Sequence, residues 1–88
     1  MKITQKQYLA LKVLGDNEGK PMMLRTLLER VPYHPTKQAF QFTLRQLIEK
    51  GCVVKKQRIK MDNRSHRLLA ITALGLEMMR EYEQIYSE

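Results

Sequence analysis

Gln38, Gln41 and Arg45 follow one another at intervals of three and four residues, the spacing that places side chains on one side of a helix. Long polar side chains presented this way can read base edges in a DNA major groove. Gln pairs with adenine N6 and N7, and Arg pairs with guanine O6 and N7. The bland alternative is a polar solvated face, which every amphipathic helix needs, and Glu49 at the far end of the same stretch fits it. Phe42 lies among these residues, where a solvated helix would not place an aromatic ring. It can touch a thymine methyl, or it can be buried against the last helix or a second copy of the chain. Both remain open.

The charge is as segregated as the polar side chains. Between Lys37 and Arg67 stand nine Lys/Arg against Glu49 and Asp62, a balance of +7, which equals the net charge of the 88-residue chain. The first 36 residues contribute +3 and the last 21 contribute −3, so the flanks cancel. Charge gathered on one local unit is an electrostatic footprint, and its natural partner is a phosphate backbone. Lys55, Lys56, Arg58, Lys60 and Arg67 are too many for base-specific work and are expected on phosphates. Arg64, with Asn63 beside it, falls at the expected hairpin tip, where an arginine can enter a narrow minor groove. Thr36, the amides behind it and Lys37 can hold a phosphate at a helix start.

Other chemistries find little support. His34 and His66 lack Cys or His neighbours at metal-ligand spacing, so no metal site is expected. No glycine-rich phosphate loop occurs, and no nucleophile with a base and an orienting partner can be placed, so neither an enzyme nor a cofactor is expected. Cys52, the single cysteine, begins a strand beside Val53 and Val54 and reads as a buried, inert thiol. The apolar runs are too short to span a membrane, and Met1-Lys2-Ile3-Thr4-Gln5 has no signal region; the cytoplasm is the expected location.

The elements that must position these residues follow from capping and periodicity. Thr4-x-x-Gln7 is a capping box with Ile3 and Tyr8 as a hydrophobic staple, and it predicts a first helix ending at a break over residues 15–21. A short second helix is predicted over about 24–31, stopping before Pro32, with Met22 and Met23 as a possible short strand before it. The third helix is predicted over about 36–50, closed by Gly51, with Phe40, Leu44, Leu47 and Ile48 inward and Gln38, Phe42, Arg45, Gln46 and Glu49 outward. The pattern then changes to a strand over 52–60, a turn over 61–65 and a returning strand over 66–71. Thr72 caps a fourth helix over about 72–86 with the stripe Leu74, Met78, Met79, Tyr82, Ile85 and Tyr86. The chain is thus expected to be one mainly α domain over 1–88, in the order α-(β)-α-α-β-β-α, a winged helix-turn-helix with the third helix for recognition and a wing over about 52–71.

Leu24 to Leu28, Leu47-Ile48-Glu49-Lys50-Gly51, Asp62-Asn63-Arg64-Ser65 and Ile71-Thr72-x-x-Gly75 together resemble the MarR-type winged-helix regulators from about Thr4 to Met79. In that family the recognition helix closes with an L-E-x-x-G run, the wing carries D-x-R and the strand after it ends in L-T-x-x-G. The resemblance implies base contacts from Ala39, Gln41, Phe42 and Arg45. It also implies a minor-groove role for Arg64, held by Asp62. MarR regulators are longer, with extra terminal helices that build the dimer and often a ligand pocket. The shortness of this chain argues against a small-molecule effector.

Two functions of different class remain. One is a sequence-specific double-stranded DNA-binding transcriptional regulator, dimeric through Met78, Met79, Tyr82, Ile85 and Tyr86. The other is a winged-helix protein–protein adaptor, or a nonspecific nucleic-acid binder of a mobile element. Gln38, Gln41 and Arg45 discriminate them, since an adaptor needs no long polar donors on a groove-facing helix.

Overall fold

The computed structural model describes residues 2–17 and 20–86. They form α1 (Gln5–Asp16), β1 (Met22–Met23), α2 (Leu24–Arg30), α3 (Lys37–Glu49), β2 (Val53–Met61), β3 (Arg64–Ile71) and α4 (Ala73–Tyr86). This is the expected winged helix-turn-helix order, and the short strand at Met22–Met23 is present. β3 lies at the centre of a three-stranded antiparallel sheet, with β1 on one side and β2 on the other.

Local chemistry explains most of the boundaries. Thr4 and Gln7 close the capping box of α1, each side chain accepting the other's backbone N–H. Thr36 caps α3 by accepting from the Ala39 amide at 3.1 Å. Gly51 adopts φ 79° after the C-cap Lys50, the left-handed geometry that glycine takes at low cost. Thr72 caps α4 by accepting from the Gly75 amide at 3.0 Å.

The core sits between the four helices and the sheet. Phe40, Leu11, Leu14, Leu27, Leu47 and Cys52 are fully enclosed. The inward stripe of α3 is as expected, with Ile48 half-buried at its edge. Cys52 is a free, buried thiol whose burial pushes its pKa up, partly offset by the positive charge of Lys50.

Three expectations about the elements need correction. The break expected at Gly15 falls later, because α1 continues through Gly15 and Asp16. A Cβ on Gly15 would stand 3.4 Å from the Met79 thioether, in ordinary contact, so the residue lies in the helix packed on α4 and not in a turn. The wing turn is shorter than the five residues expected. Met61 pairs with Arg64, leaving Asp62 and Asn63 to turn the chain with φ of 53° and 62°, the positive angles of a two-residue hairpin. The stripe of α4 is also narrower on the inside: Gly75, Met78 and Met79 are buried, while Leu74 is exposed.

Candidate nucleic-acid interface

The outer face of α3 carries the expected reading residues. Gln38, Ala39, Gln41, Phe42 and Arg45 are all exposed. Phe42 is 58% exposed, so its ring is not buried by α4 or by any other part of the fold. Gln46, expected on the same face, is instead half-buried and accepts from the Gln7 side chain at 3.1 Å.

Beside α3 lies the wing, and a cleft of about 510 Å³ separates the two. Gln41, Arg45 and Glu49 line its helical side, and Lys55, Arg58, Ser65 and Arg67 line its sheet side. This arrangement follows from strand register. Residues directly opposite in an antiparallel pair share a face, and Arg58 stands opposite Arg67, with Lys60 opposite Ser65 two positions on. The register shifts between Lys55 and Arg58, a bulge that places an extra residue on β2. The Arg67 guanidinium donates to the Lys56 carbonyl there at 3.1 Å. Arg67 therefore helps hold the bulge as well as adding charge.

Two arginines directly opposite one another repel. Among the described residues the ion pairs are Lys12–Asp16, Lys12–Glu83 and Arg25–Glu29, and none involves a wing cation. Lys55, Lys56, Arg58, Lys60, Arg64 and Arg67 are exposed and outnumber the two carboxylates that share their clefts, Glu49 and Asp62.

A second cleft, of about 520 Å³, joins the wing tip to the helix-turn-helix. It brings Asp62, Arg64 and His66 together with Arg25 of α2 and Lys37 at the start of α3. Arg64 is the first residue of β3, just after the turn, instead of lying inside it. Asn63 occupies the turn itself and is exposed. The Thr36 hydroxyl is engaged in capping α3, while the first amides of a helix still point outward beside Lys37.

Lys50 departs from the rest of the basic cluster. Its ammonium donates to the Lys2 carbonyl at 3.0 Å and to Gln7 Oε1 at 3.1 Å, so it ties α3 to the N-terminal segment.

The surface expected to pair two copies is divided by the fold. Met78 and Met79 are 5% and 9% exposed, inside the core of a single chain. They are corrected from dimer contacts to core residues. Ile85 and Tyr86 are 63% and 68% exposed. Tyr82 is half-buried, stacked on Tyr8 with ring centroids 4.4 Å apart and tilted against Tyr86. Among the described residues no group of three or more His, Cys, Asp or Glu is arranged to hold a metal ion. No described helix is long and apolar enough to cross a membrane.

No protein-family model and no curated protein sequence matches the chain. Solved structures do. A point mutant of Staphylococcus aureus MepR, bound to an oligodeoxyribonucleotide, superposes with a TM-score of 0.77 at 18% identity, covering 96% of this chain and 58% of that one. PcaV, a transcriptional regulator of Streptomyces coelicolor in complex with its natural ligand, gives 0.70 at 29% identity over 90% of this chain and 52% of that one. ZitR of Lactococcus lactis, a zinc-responsive MarR family member, gives 0.72 at 19% identity over 96% and 54%. The chain thus spans between half and three-fifths of the length of these three regulators. In architecture, from the helix-turn-helix to the wing, this chain has the winged-helix fold of the MarR-family regulators.

Proposed function

We propose that the chain binds double-stranded DNA sequence-specifically and acts as a transcriptional regulator, with α3 in the major groove and the wing against the minor groove and backbone. The observation that carries this reading is the cleft in which Gln41 and Arg45 of α3 face Lys55, Arg58 and Arg67 of the wing, four cations against the single carboxylate of Glu49. Base-reading donors and phosphate-binding cations on one concave surface match the division of labour at a protein–DNA interface. Gln38, Gln41, Phe42 and Arg45 are assigned to bases. Thr36, Lys37, Lys55, Lys56, Arg58, Lys60, Asn63 and Arg67 are assigned to the backbone, and Arg64 to the minor groove. The MepR neighbour, which shares the fold, is bound to an oligodeoxyribonucleotide, and this supports the same partner here.

Regulators of this shape pair on two-fold symmetric sites, and we assign the pairing surface to Tyr82, Ile85 and Tyr86 at the end of α4. The fold alone does not argue against an effector, since PcaV shares it and is in complex with its natural ligand. The short-chain argument against an effector therefore loses its force.

Selection from a random duplex pool tests the function. An enriched palindrome is expected, together with affinity that falls steeply as salt rises, because counterion release drives phosphate binding. No duplex binding at low salt would overturn the proposal in favour of a protein partner. Binding without enrichment would reduce it to nonspecific nucleic-acid binding.

A further inference from the structure

The buried side chain of Gln7 is an unusual choice for the first turn of a helix packed on an apolar core. It is 2% exposed, and its amide group bonds both to the N-cap of α1 and to two positions at the C-terminal end of α3. Its Oε1 accepts from the Thr4 amide at 3.0 Å and from the Lys50 ammonium at 3.1 Å, and its Nε2 donates to Gln46 Oε1 at 3.1 Å. Gln46 follows Arg45 directly in the chain, and Lys50 is the C-cap of the same helix. The C-terminal end of α3 is also tied by the bond from the Thr72 hydroxyl to the Gly51 carbonyl, and along its length the helix is held by the apolar stripe of Phe40, Leu44 and Leu47. Apolar contacts are non-directional and tolerate small rotations of a helix about its axis. Hydrogen bonds weaken steeply once their angles are lost, so the Gln7–Gln46–Lys50 network selects one rotation and one pitch.

We infer that Gln7 and Gln46 are positioning residues for base reading, an inference that rests on the DNA-reading function proposed above. Neither touches DNA. Gln7 holds Gln46, and Gln46 sets the angle at which Gln41 and Arg45 meet the bases. Base pairing by a bidentate side chain demands that angle, whereas phosphate contacts from flexible lysines do not. Loss of the network should therefore erode discrimination between sequences and leave nonspecific affinity intact.

Gln46→Met keeps the length of the side chain and removes the acceptor, while Gln46→Glu keeps the acceptor. Gln7→Met removes the network from the other side, and thermal melts verify that each variant folds. The readout is the ratio of affinities for a preferred and a scrambled duplex. Gln46→Met and Gln7→Met are expected to lower it by about fivefold or more, the lower end of what one base contact is worth, with affinity for the scrambled duplex and its salt slope unchanged. Gln46→Glu adds a negative charge that weakens both duplexes alike, so its ratio should stay near that of the unaltered protein. Residual dipolar couplings of the free protein should show α3 reoriented against α1 in the two Met variants and not in Gln46→Glu. A preference that survives Gln46→Met and Gln7→Met undiminished, with α3 unmoved, overturns the inference alone. An unaltered protein with no sequence preference overturns the proposed function, and this inference with it.

Discussion

The Thr72 hydroxyl donates to the Gly51 carbonyl at 2.6 Å while accepting from the Gly75 amide at 3.0 Å. One side chain thus fastens the end of α3 to the start of α4. The neighbouring backbone reinforces the joint, since the Thr72 amide donates to the Cys52 carbonyl. Thr72→Val keeps the shape and removes both side-chain bonds. A loss of about 1–2 kcal/mol is expected, the usual worth of a helix N-cap, and urea unfolding measures it.

Gly75 should be less forgiving. It lies so close to the next layer that a Cβ would run into the Cys52 carbonyl oxygen and the Ile71 side chain. Backbone cannot move aside as a flexible side chain can. Gly75→Ala is expected to destabilise the fold by about 1–3 kcal/mol or more, as overpacking does, although alanine is the better helix former. A melting temperature equal to that of the unaltered protein would contradict this packing.

Met78 and Ile85 separate core from pairing surface. Met78→Glu places an unpaired carboxylate in the core, and a loss of at least about 3 kcal/mol is expected, seen as a large drop in melting temperature. Ile85→Glu changes an exposed position and should leave the melt nearly unaltered. It should instead shift the mass toward monomer in sedimentation equilibrium. A dimer that survives both Ile85→Glu and Tyr86→Glu would place the pairing surface elsewhere.

Tyr8 should report the contact between α1 and α4. Its hydroxyl donates to Glu83 Oε2 at 2.7 Å. Burial, the hydrogen bond to Glu83 and the Glu83 charge push its pKa up to about 12 from 10.0. Folding thus favours the neutral phenol. The stability this contributes is complete below pH 10 and is lost as pH rises through about 12. Burial also pushes Tyr33 up, so ultraviolet titration should show more than one tyrosine ionising late, and Tyr8→Phe should remove the latest step. Loss of an earlier step instead would contradict the assignment.

Much of the fold was legible because its boundaries are written in local chemistry. Thr4 and Thr72 each cap the helix expected of them, Thr36 caps the helix expected to begin there, and Gly51 ends α3 in the left-handed region. What the sequence hid was tertiary. Gly15 looked like a breaker, yet it lies within α1 against the Met79 side chain. Periodicity placed Met78 and Met79 on an apolar stripe without telling whether that stripe faces the chain's own core or a second copy. Asp62-Asn63 turns the hairpin without glycine, so the tight two-residue turn carried no strong local signal. The link from Gln7 to Gln46 spans 39 positions, and no local pattern announces a pairing of that separation. In the candidate site, the exposure of Gln38, Gln41, Phe42 and Arg45 on the outer face of α3 could be read from spacing. The cleft that sets them against Arg58 and Arg67 depends on strand register and a bulge.

The central claim is that α3 reads bases and the wing supplies affinity. Its most direct test is the binding of Arg45→Ala, beside Lys56→Ala, to a preferred and a scrambled duplex. Arg45→Ala is expected to cost about 1–3 kcal/mol on the preferred duplex and little on the scrambled one. Lys56→Ala should weaken both alike and flatten the salt slope by about one unit. Equal losses on the two duplexes for Arg45→Ala would contradict base reading by α3 and leave a nonspecific binder.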